Sequence, residues 1–169
     1  TFTVAVTAVN DEPVIGTISD PAAILEDAGA QTINLTGIGD GDADVTQAIT
    51  SVTAISSNTS LIPHPTVTYT SDAATGSLAY TPVSNANGSA VITVTVVDDG
   101  GTANIGAVNT TTTTFTVAVT AVNDAPVINA IPNPTAILED AGSQTINLAG
   151  IGDGDAETAQ AITVTATSN

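Results

Sequence analysis

Lysine, arginine and cysteine are all absent from this chain of 169 residues, and so are tryptophan and methionine. With 17 Asp and Glu residues and one His, the formal net charge is −17. Proteins bind nucleic acids through cations that neutralise phosphates, so this class of partner is excluded. No cationic side chain is available to pair with the acids. The acids therefore lie in water or hold metal cations, because a buried charge without a partner is very costly.

The same absences exclude most kinds of active site. Zinc chemistry requires Cys or several His residues, nucleophilic catalysis requires a base beside the nucleophile, and a phosphate-binding loop requires Lys. The single histidine, His64, lies between two prolines and is predicted to be a solvated loop residue. We therefore expect no enzyme. No apolar run approaches the roughly 18 residues of a membrane span, so we also expect no direct insertion into a membrane.

The residues that are present favour a folded β protein. Apolar residues make up 42% of the chain and the mean hydropathy is +0.32, unlike disordered acidic segments. Apolar and polar residues alternate along Thr1–Val9, as they do in half-buried strands. Further strands are predicted at about 13–25 and at 31–38, 48–56, 66–71, 77–82, 89–97 and 114–122. The threonine run Thr110–Thr114 is predicted to be a solvated loop that leads into the last of these strands.

The chain contains an internal repeat with a period of 113 residues. The segment TFTVAVTAVND occurs at 1–11 and again at 114–124, and 39 of the 50 pairs between residues 1–50 and 114–163 are identical. Copied units of this kind indicate a tandem array. Seven short strands in about 100 residues predict an immunoglobulin-like β-sandwich for each unit. We assign 1–10 to the last strand of a preceding module, 11–123 to a complete module, and 124–169 to the first three strands of the next.

Most of the acids belong to a few recurrent turn sequences. Fourteen of the 17 acids lie in four clusters, namely VND (Asp11, Asp124), LEDAG (Glu26, Asp27, Glu139, Asp140), GDGDA with the next acid (Asp40, Asp42, Asp44, Asp153, Asp155, Glu157) and VDDGG (Asp98, Asp99). Aspartate and glycine are common in turns without any metal, so solvated turns are one interpretation of these clusters. The other is metal binding, because the clusters meet at the junctions between modules.

The alternating directions of the predicted strands determine which clusters meet. At the first junction we expect Asn10, Asp11, Asp40, Asp42, Asp98 and Asp99. At the second we expect Glu26, Asp27, Asn123, Asp124, Asp153 and Asp155. Clustered carboxylates together with amide and backbone oxygens are the ligands of a hard cation, and calcium accepts six to eight oxygens in flexible geometry. The sequence therefore predicts calcium at the junctions.

The linkers resemble those of the cadherins. VNDEP at 9–13 and VNDAP at 122–126 are similar to the cadherin linker Asp-x-Asn-Asp-x-x-Pro, although Ala8 and Ala121 stand where the first Asp is expected. More closely, the whole period resembles the cadherin-like modules repeated in large bacterial surface adhesins and secreted repeat proteins.

The resemblance also covers the loops. Glu26 or Asp27 corresponds to the cadherin Glu in the turn after the first strand. Asp40 and Asp42 resemble the cadherin Asp-x-Asp motif in the next loop. Asp98 or Asp99 resembles the cadherin acid in the loop before the last strand. The cadherin Asp-x-Glu motif has no counterpart, because the sequence there is SNANG. The resemblance therefore implies one or two calcium ions per junction.

Together these features predict a non-enzymatic stalk or fibre outside the cell. Its partners would be neighbouring modules of the same chain or identical chains. The alternative is the subunit of a self-assembling extracellular filament, in which a neighbouring chain completes a sheet by strand addition.

Overall fold

A computed structural model describes residues 1–102, 107–155 and 159–168. The chain divides into two compact units, Thr1–Ala121 and Val122–Asn169. The long connection before the threonine run and the end of the second GDGDA cluster, including Glu157, lie partly outside the described residues.

The described residues of the first unit form seven strands in two sheets. They are β1 (Ile24–Leu25), β2 (Gln31–Thr36), β3 (Ile49–Ser56), β4 (Thr66–Tyr69), β5 (Thr75–Tyr80), β6 (Gly88–Asp98) and β7 (Thr110–Thr120). One sheet has the order β1-β7-β6-β3 and the other β2-β5-β4. Among these described strands, β1 and β7 pair in parallel and the other pairs are antiparallel. No helix occurs among the described residues. The predicted all-β class is therefore confirmed, and two sheets are consistent with a β-sandwich.

The core is aliphatic and lies between the two sheets. On β6 the alternate residues Ile92, Val94 and Val96 are fully buried, and on β7 Phe115 is 2% exposed. From the other sheet, Leu35 is fully buried in the same cluster. The alternation predicted from the sequence therefore describes the long strands well, because each has one face in the core and one in solvent.

The threonine run is part of a strand, so the prediction of a solvated loop was wrong. Thr110–Thr113 belong to β7 and pair with Val94–Val97 of β6. The reason is that β6 extends to Asp98 and offers ladder partners along this whole length. Threonine is also β-branched and suits a half-exposed strand.

Identical sequences take different structures in this chain. Thr1–Val9 and Thr114–Val122 have the same nine residues, yet no strand is present in Thr1–Val9, and Phe2 is 90% exposed. The copy at Phe115 pairs with β6 and β1. Because a strand needs ladder partners, sequence alternation alone did not produce one at the N-terminal copy.

The strand predicted at about 13–25 is also mostly irregular. It consists of an isolated bridge between Val14 and Gly39 and of the two-residue strand β1. Pro13 and Pro21 cannot donate to a ladder, which accounts for the interruption.

Of the β pairing in the first unit, the described residues of the second repeat only the isolated bridge. Val127 pairs with Gly152, the counterparts of Val14 and Gly39 one period later. Three strands were predicted for this segment, and no strand occurs among its described residues. Apolar side chains that correspond to core residues stay exposed, such as Ile146 at 50% and Leu148 at 42%.

Candidate cation site

The Asp40-Gly41-Asp42 turn lies against the linker that precedes the module. Two hydrogen bonds between Val14 and Gly39 (2.8 and 3.1 Å) hold the chain there. Gly41 has a φ of +73°, and a Cβ at this position would lie 2.0 Å from the carbonyl oxygen of Glu12. Only glycine allows this conformation and this close approach. The turn thereby holds the Asp42 carboxylate beside Asn10 and Asp11.

The Asp42 carboxylate accepts hydrogen bonds from its own loop. Its Oδ1 accepts from the backbone N–H groups of Asp44 (2.7 Å) and Val45 (3.0 Å), and its Oδ2 accepts from Nε2 of Gln47 (2.8 Å). The backbone N–H of Val45, followed by that of Asp44, lowers the pKa of Asp42, and that of Asp11 contributes further. Desolvation opposes these effects. The group is therefore held as a carboxylate.

Gln47 connects both acids of the turn. Besides the bond to Asp42, its backbone N–H donates to Oδ2 of Asp40 at 2.9 Å. The next residue, Ala48, donates its N–H to Oδ1 of Asp99 (2.9 Å) and accepts from the Asp99 backbone (3.0 Å). This short segment therefore connects the Asp40–Asp42 turn to the loop that follows β6.

Asn10 and Asp98 form the buried centre of this region, with 6% and 2% of their surfaces exposed. Nδ2 of Asn10 donates to Oδ1 of Asp98 (3.4 Å) and to the carbonyl oxygen of Val108. The backbone N–H of Gly100 also donates to Oδ1 of Asp98, at 2.9 Å. The backbone oxygen of Asn10 accepts from Val108 at 3.3 Å.

Within the part of the chain that the structure describes, three buried oxygens of this region have no hydrogen-bond partner: Oδ1 of Asn10, Oε1 of Gln47 and Oδ2 of Asp98. A Cβ on Gly100 would lie 1.6 Å from the first and 2.0 Å from the second, so these two oxygens are no more than 3.6 Å apart. A cavity of about 330 Å³ adjoins them. Two acceptors that face each other without a donor leave a strongly negative, oxygen-lined space.

The six residues predicted for the first junction lie at one end of the sandwich. Asp98 pairs with Ile49 there, at the end of β6 and the start of β3. Asp11 is exposed next to buried Asn10, and Asp99 is exposed beyond Asp98.

Glu26 and Asp27 lie at the other end of the sandwich. They follow β1, where Leu25 pairs with Thr120, and the backbone N–H of Glu26 donates to the Thr120 oxygen at 2.9 Å. Glu26 is buried, whereas Asp27 is exposed, has a φ of 58° and accepts from Asn85 at 3.2 Å. The eleven residues of β6 separate the two ends, which corresponds to roughly 35 Å at about 3.4 Å per residue.

The second unit repeats part of the first arrangement. The backbone N–H of Gln160 donates to Oδ2 of Asp153 (2.7 Å) and its Nε2 donates to Oδ2 of Asp155 (2.7 Å). Nε2 also donates to Oδ1 of Asn123. Asp124, the last residue predicted for the second junction, is half-buried.

The carboxylates do not form a metal site by themselves. Across residues 1–102, 107–155 and 159–168, no three His, Cys, Asp or Glu side chains lie close enough together to hold an ion. The unpartnered oxygens belong instead to two amides and one carboxylate. A carboxylate and amides with free oxygens fit a hard cation such as calcium.

Sequence reasoning missed Gln47 and Gln160. Neither is an acid, so neither belonged to the clusters that were considered. The signal was nevertheless present, because Gln-Ala-Ile-Thr follows both GDGDA sequences one period apart, whereas the three residues just before each Gln differ.

Other acids serve the fold as hydrogen-bond acceptors. Oδ1 of Asp20 accepts from the backbone N–H of Thr116 (2.6 Å), and Oδ1 of Asp72 accepts from that of Ile49 (3.0 Å). His64 is exposed, as predicted for a loop residue, but its Nδ1 accepts from the N–H of Ser56 at 2.9 Å. It thus anchors its loop to the end of β3.

Comparison with known proteins adds no relative. No protein family matches the chain, and no curated protein or solved structure does either. Among the described residues, no helix has the length and apolar character needed to cross a membrane.

Proposed function

We propose that the chain is a non-enzymatic tandem repeat of immunoglobulin-like modules in an extracellular stalk, and that calcium rigidifies the junctions between modules. The observation that carries this proposal is the set of three buried oxygens without hydrogen-bond donors around Asn10. They lie where the linker meets two acidic loops of the module. A cation there would bind the linker and both loops at once.

The charge of the chain supports a cation rather than a protein donor. Asp98 is 2% exposed and the chain has no Lys or Arg. A buried carboxylate that lacks a positive partner is expensive. It accepts two hydrogen bonds through Oδ1, and a metal ion would supply the missing counter-charge at Oδ2. Extracellular calcium modules bind in the range of about 10⁻⁴–10⁻³ M, which suits a structure that is assembled outside the cell.

Calcium would stiffen the junction because it binds the ordered state of the ligands and so stabilises that state. Without the ion, the carboxylates of the linker and loops repel one another and the junction flexes. With the ion, ordered ligands fix one orientation. A calcium concentration ten times the dissociation constant would stabilise this ordered state by about 1.4 kcal/mol. The neighbouring modules of the same chain, or identical chains, are the partners in this function.

A second candidate function is a filament subunit assembled by strand addition. It is favoured by the exposure of Phe2 and Val6 (90% and 91%) in a segment whose identical copy is buried in β7. Such a segment has the side-chain pattern needed to pair with a strand like β6 of another chain.

Small-angle X-ray scattering of this chain tests the stalk proposal. Adding calcium should narrow the distribution of interatomic distances, and EGTA should restore the broader one. Asp98→Asn, which changes the buried carboxylate whose Oδ2 lacks a donor, should weaken this response. Asp72→Asn is the matched control, since it removes one acid outside the clusters and should leave the response intact. Dimensions that do not change with calcium would contradict the proposal, and a mass that grows with protein concentration would favour the filament.

A further inference from the structure

We infer that Gln47 is a calcium ligand through its side-chain oxygen, and that its counterpart Gln160 is not. The inference rests on the proposed calcium function and specifies which atoms bind the ion. The relevant group is the amide pair, defined here as the side chains of Asn10 and Gln47.

The orientation of each amide is fixed by its own neighbours. The Nδ2 group of Asn10 faces two acceptors, Oδ1 of Asp98 and the oxygen of Val108. The Nε2 group of Gln47 faces the Asp42 carboxylate. Turning either amide over would place its oxygen against these oxygens. Each amide nitrogen is therefore held in place, and each amide oxygen points away from it.

Both amide oxygens consequently face the same space next to Gly100. The position of a Cβ on Gly100 would be 1.6 Å from the Asn10 oxygen and 2.0 Å from the Gln47 oxygen, so the two oxygens are at most 3.6 Å apart. Both are buried and lack a donor, as does Oδ2 of Asp98. Two buried acceptors repel at this distance unless something positive lies between them. An oxygen-binding divalent cation provides this attraction, and the adjoining cavity of about 330 Å³ gives it access.

In the second unit the corresponding amides, Asn123 and Gln160, hydrogen-bond to each other. There Nε2 of Gln160 donates both to Asp155 and to Oδ1 of Asn123. The Asn123 oxygen is thus satisfied by the glutamine itself and does not require a cation.

The two glutamines provide a matched experiment in one chain. Calcium binding is measured by isothermal titration calorimetry on the complete chain, with calcium-depleted buffer, for the wild type, Gln47→Ala and Gln160→Ala. Gln47→Ala should weaken the tightest binding event by about tenfold or more, the order of effect seen when support of a metal site is removed. Gln160→Ala should leave that event unchanged. Far-UV circular dichroism establishes that each variant is folded.

Gly100→Ala is a second, independent variant. Its new Cβ would overlap both amide oxygens, at 1.6 and 2.0 Å, so both amide groups would have to move and the same binding event should be lost although Gln47 itself is not substituted. Gly29→Ala is the control, because a Cβ there meets no atom within 4 Å.

The outcomes separate the two proposals. A wild-type chain that binds no calcium overturns the calcium function and this inference together. A wild-type chain that binds calcium with equal affinity in Gln47→Ala overturns the inference alone. Equal loss in Gln47→Ala and Gln160→Ala also overturns it, because both amides would then act alike. If a water molecule rather than calcium lies between the two amide oxygens, Gln47→Ala will not remove any calcium-binding event from the titration, and the inference is wrong.

Discussion

Two phenylalanines with the same sequence neighbours offer a sharp test of the fold. Phe115 is 2% exposed in β7, whereas Phe2 is 90% exposed in the identical N-terminal copy. A buried Phe side chain removes about 200 Å² from water, worth roughly 5 kcal/mol at about 25 cal/mol per Å². Phe-to-Ala substitutions in cores cost about 3–5 kcal/mol. Phe115→Ala should therefore lower the free energy of unfolding by about 4 kcal/mol, and Phe2→Ala by less than about 0.5 kcal/mol.

Urea denaturation followed by circular dichroism measures this difference. The chain has no Trp, so the far-UV signal of the sheets is the suitable probe. Domains of this size have total stabilities of about 5–15 kcal/mol, so Phe115→Ala should shift the midpoint strongly or leave the chain partly unfolded. A loss for Phe2→Ala that matches the loss for Phe115→Ala would refute the reasoning, since it would mean that the N-terminal copy occupies the core.

Two further predictions concern the turn and the tyrosines. Gly41→Ala should destabilise the chain by about 2 kcal/mol or more in the same assay. A non-glycine residue at positive φ is strained, and the new Cβ would collide with the carbonyl oxygen of Glu12. The control Gly29→Ala should change the free energy of unfolding by less than about 0.5 kcal/mol. Desolvation raises the pKa of Tyr80, and desolvation followed by the charge of Asp72 raises that of Tyr69. Their phenolate absorbance should therefore develop above the ordinary value of about 10. The neutral phenols should contribute their full stabilisation of the fold below the ordinary pKa of tyrosine. This contribution should be lost as the pH rises through the raised pKa values of the folded protein. A titration midpoint at or below 10 would contradict this.

The sequence predicted those parts of the fold that depend on long regular alternation. β6 was placed within about one residue, and β2 and β3 began within one residue of prediction, because each has an aliphatic face and clear turn residues at its ends. The failures share one physical cause. The threonine run became part of β7, and Thr1–Val9 formed no strand. In both, the presence or absence of a partner strand outweighed the local pattern.

The candidate site was predictable only in part for a different reason. Charge clustering and strand direction brought Asp40, Asp42 and Asp98 to the end of the sandwich where they lie. The role proposed for Gln47 depends on which way its amide faces, and that follows from its hydrogen bond to Asp42, which no pattern of acids reveals. The repeat of Gln-Ala-Ile-Thr was the available signal.

The duplicated nine-residue segment also has a consequence for folding kinetics. While the chain is collapsing, β6 meets two segments of the same sequence, Thr1–Val9 and Thr114–Val122. Eleven residues connect β6 to β7, whereas 78 residues lie between Val9 and Gly88. Loop closure therefore favours the nearer copy by about 2 kcal/mol. The long β6–β7 hairpin is thus selected by proximity along the chain, and a longer connection between these strands would let the wrong copy compete during folding.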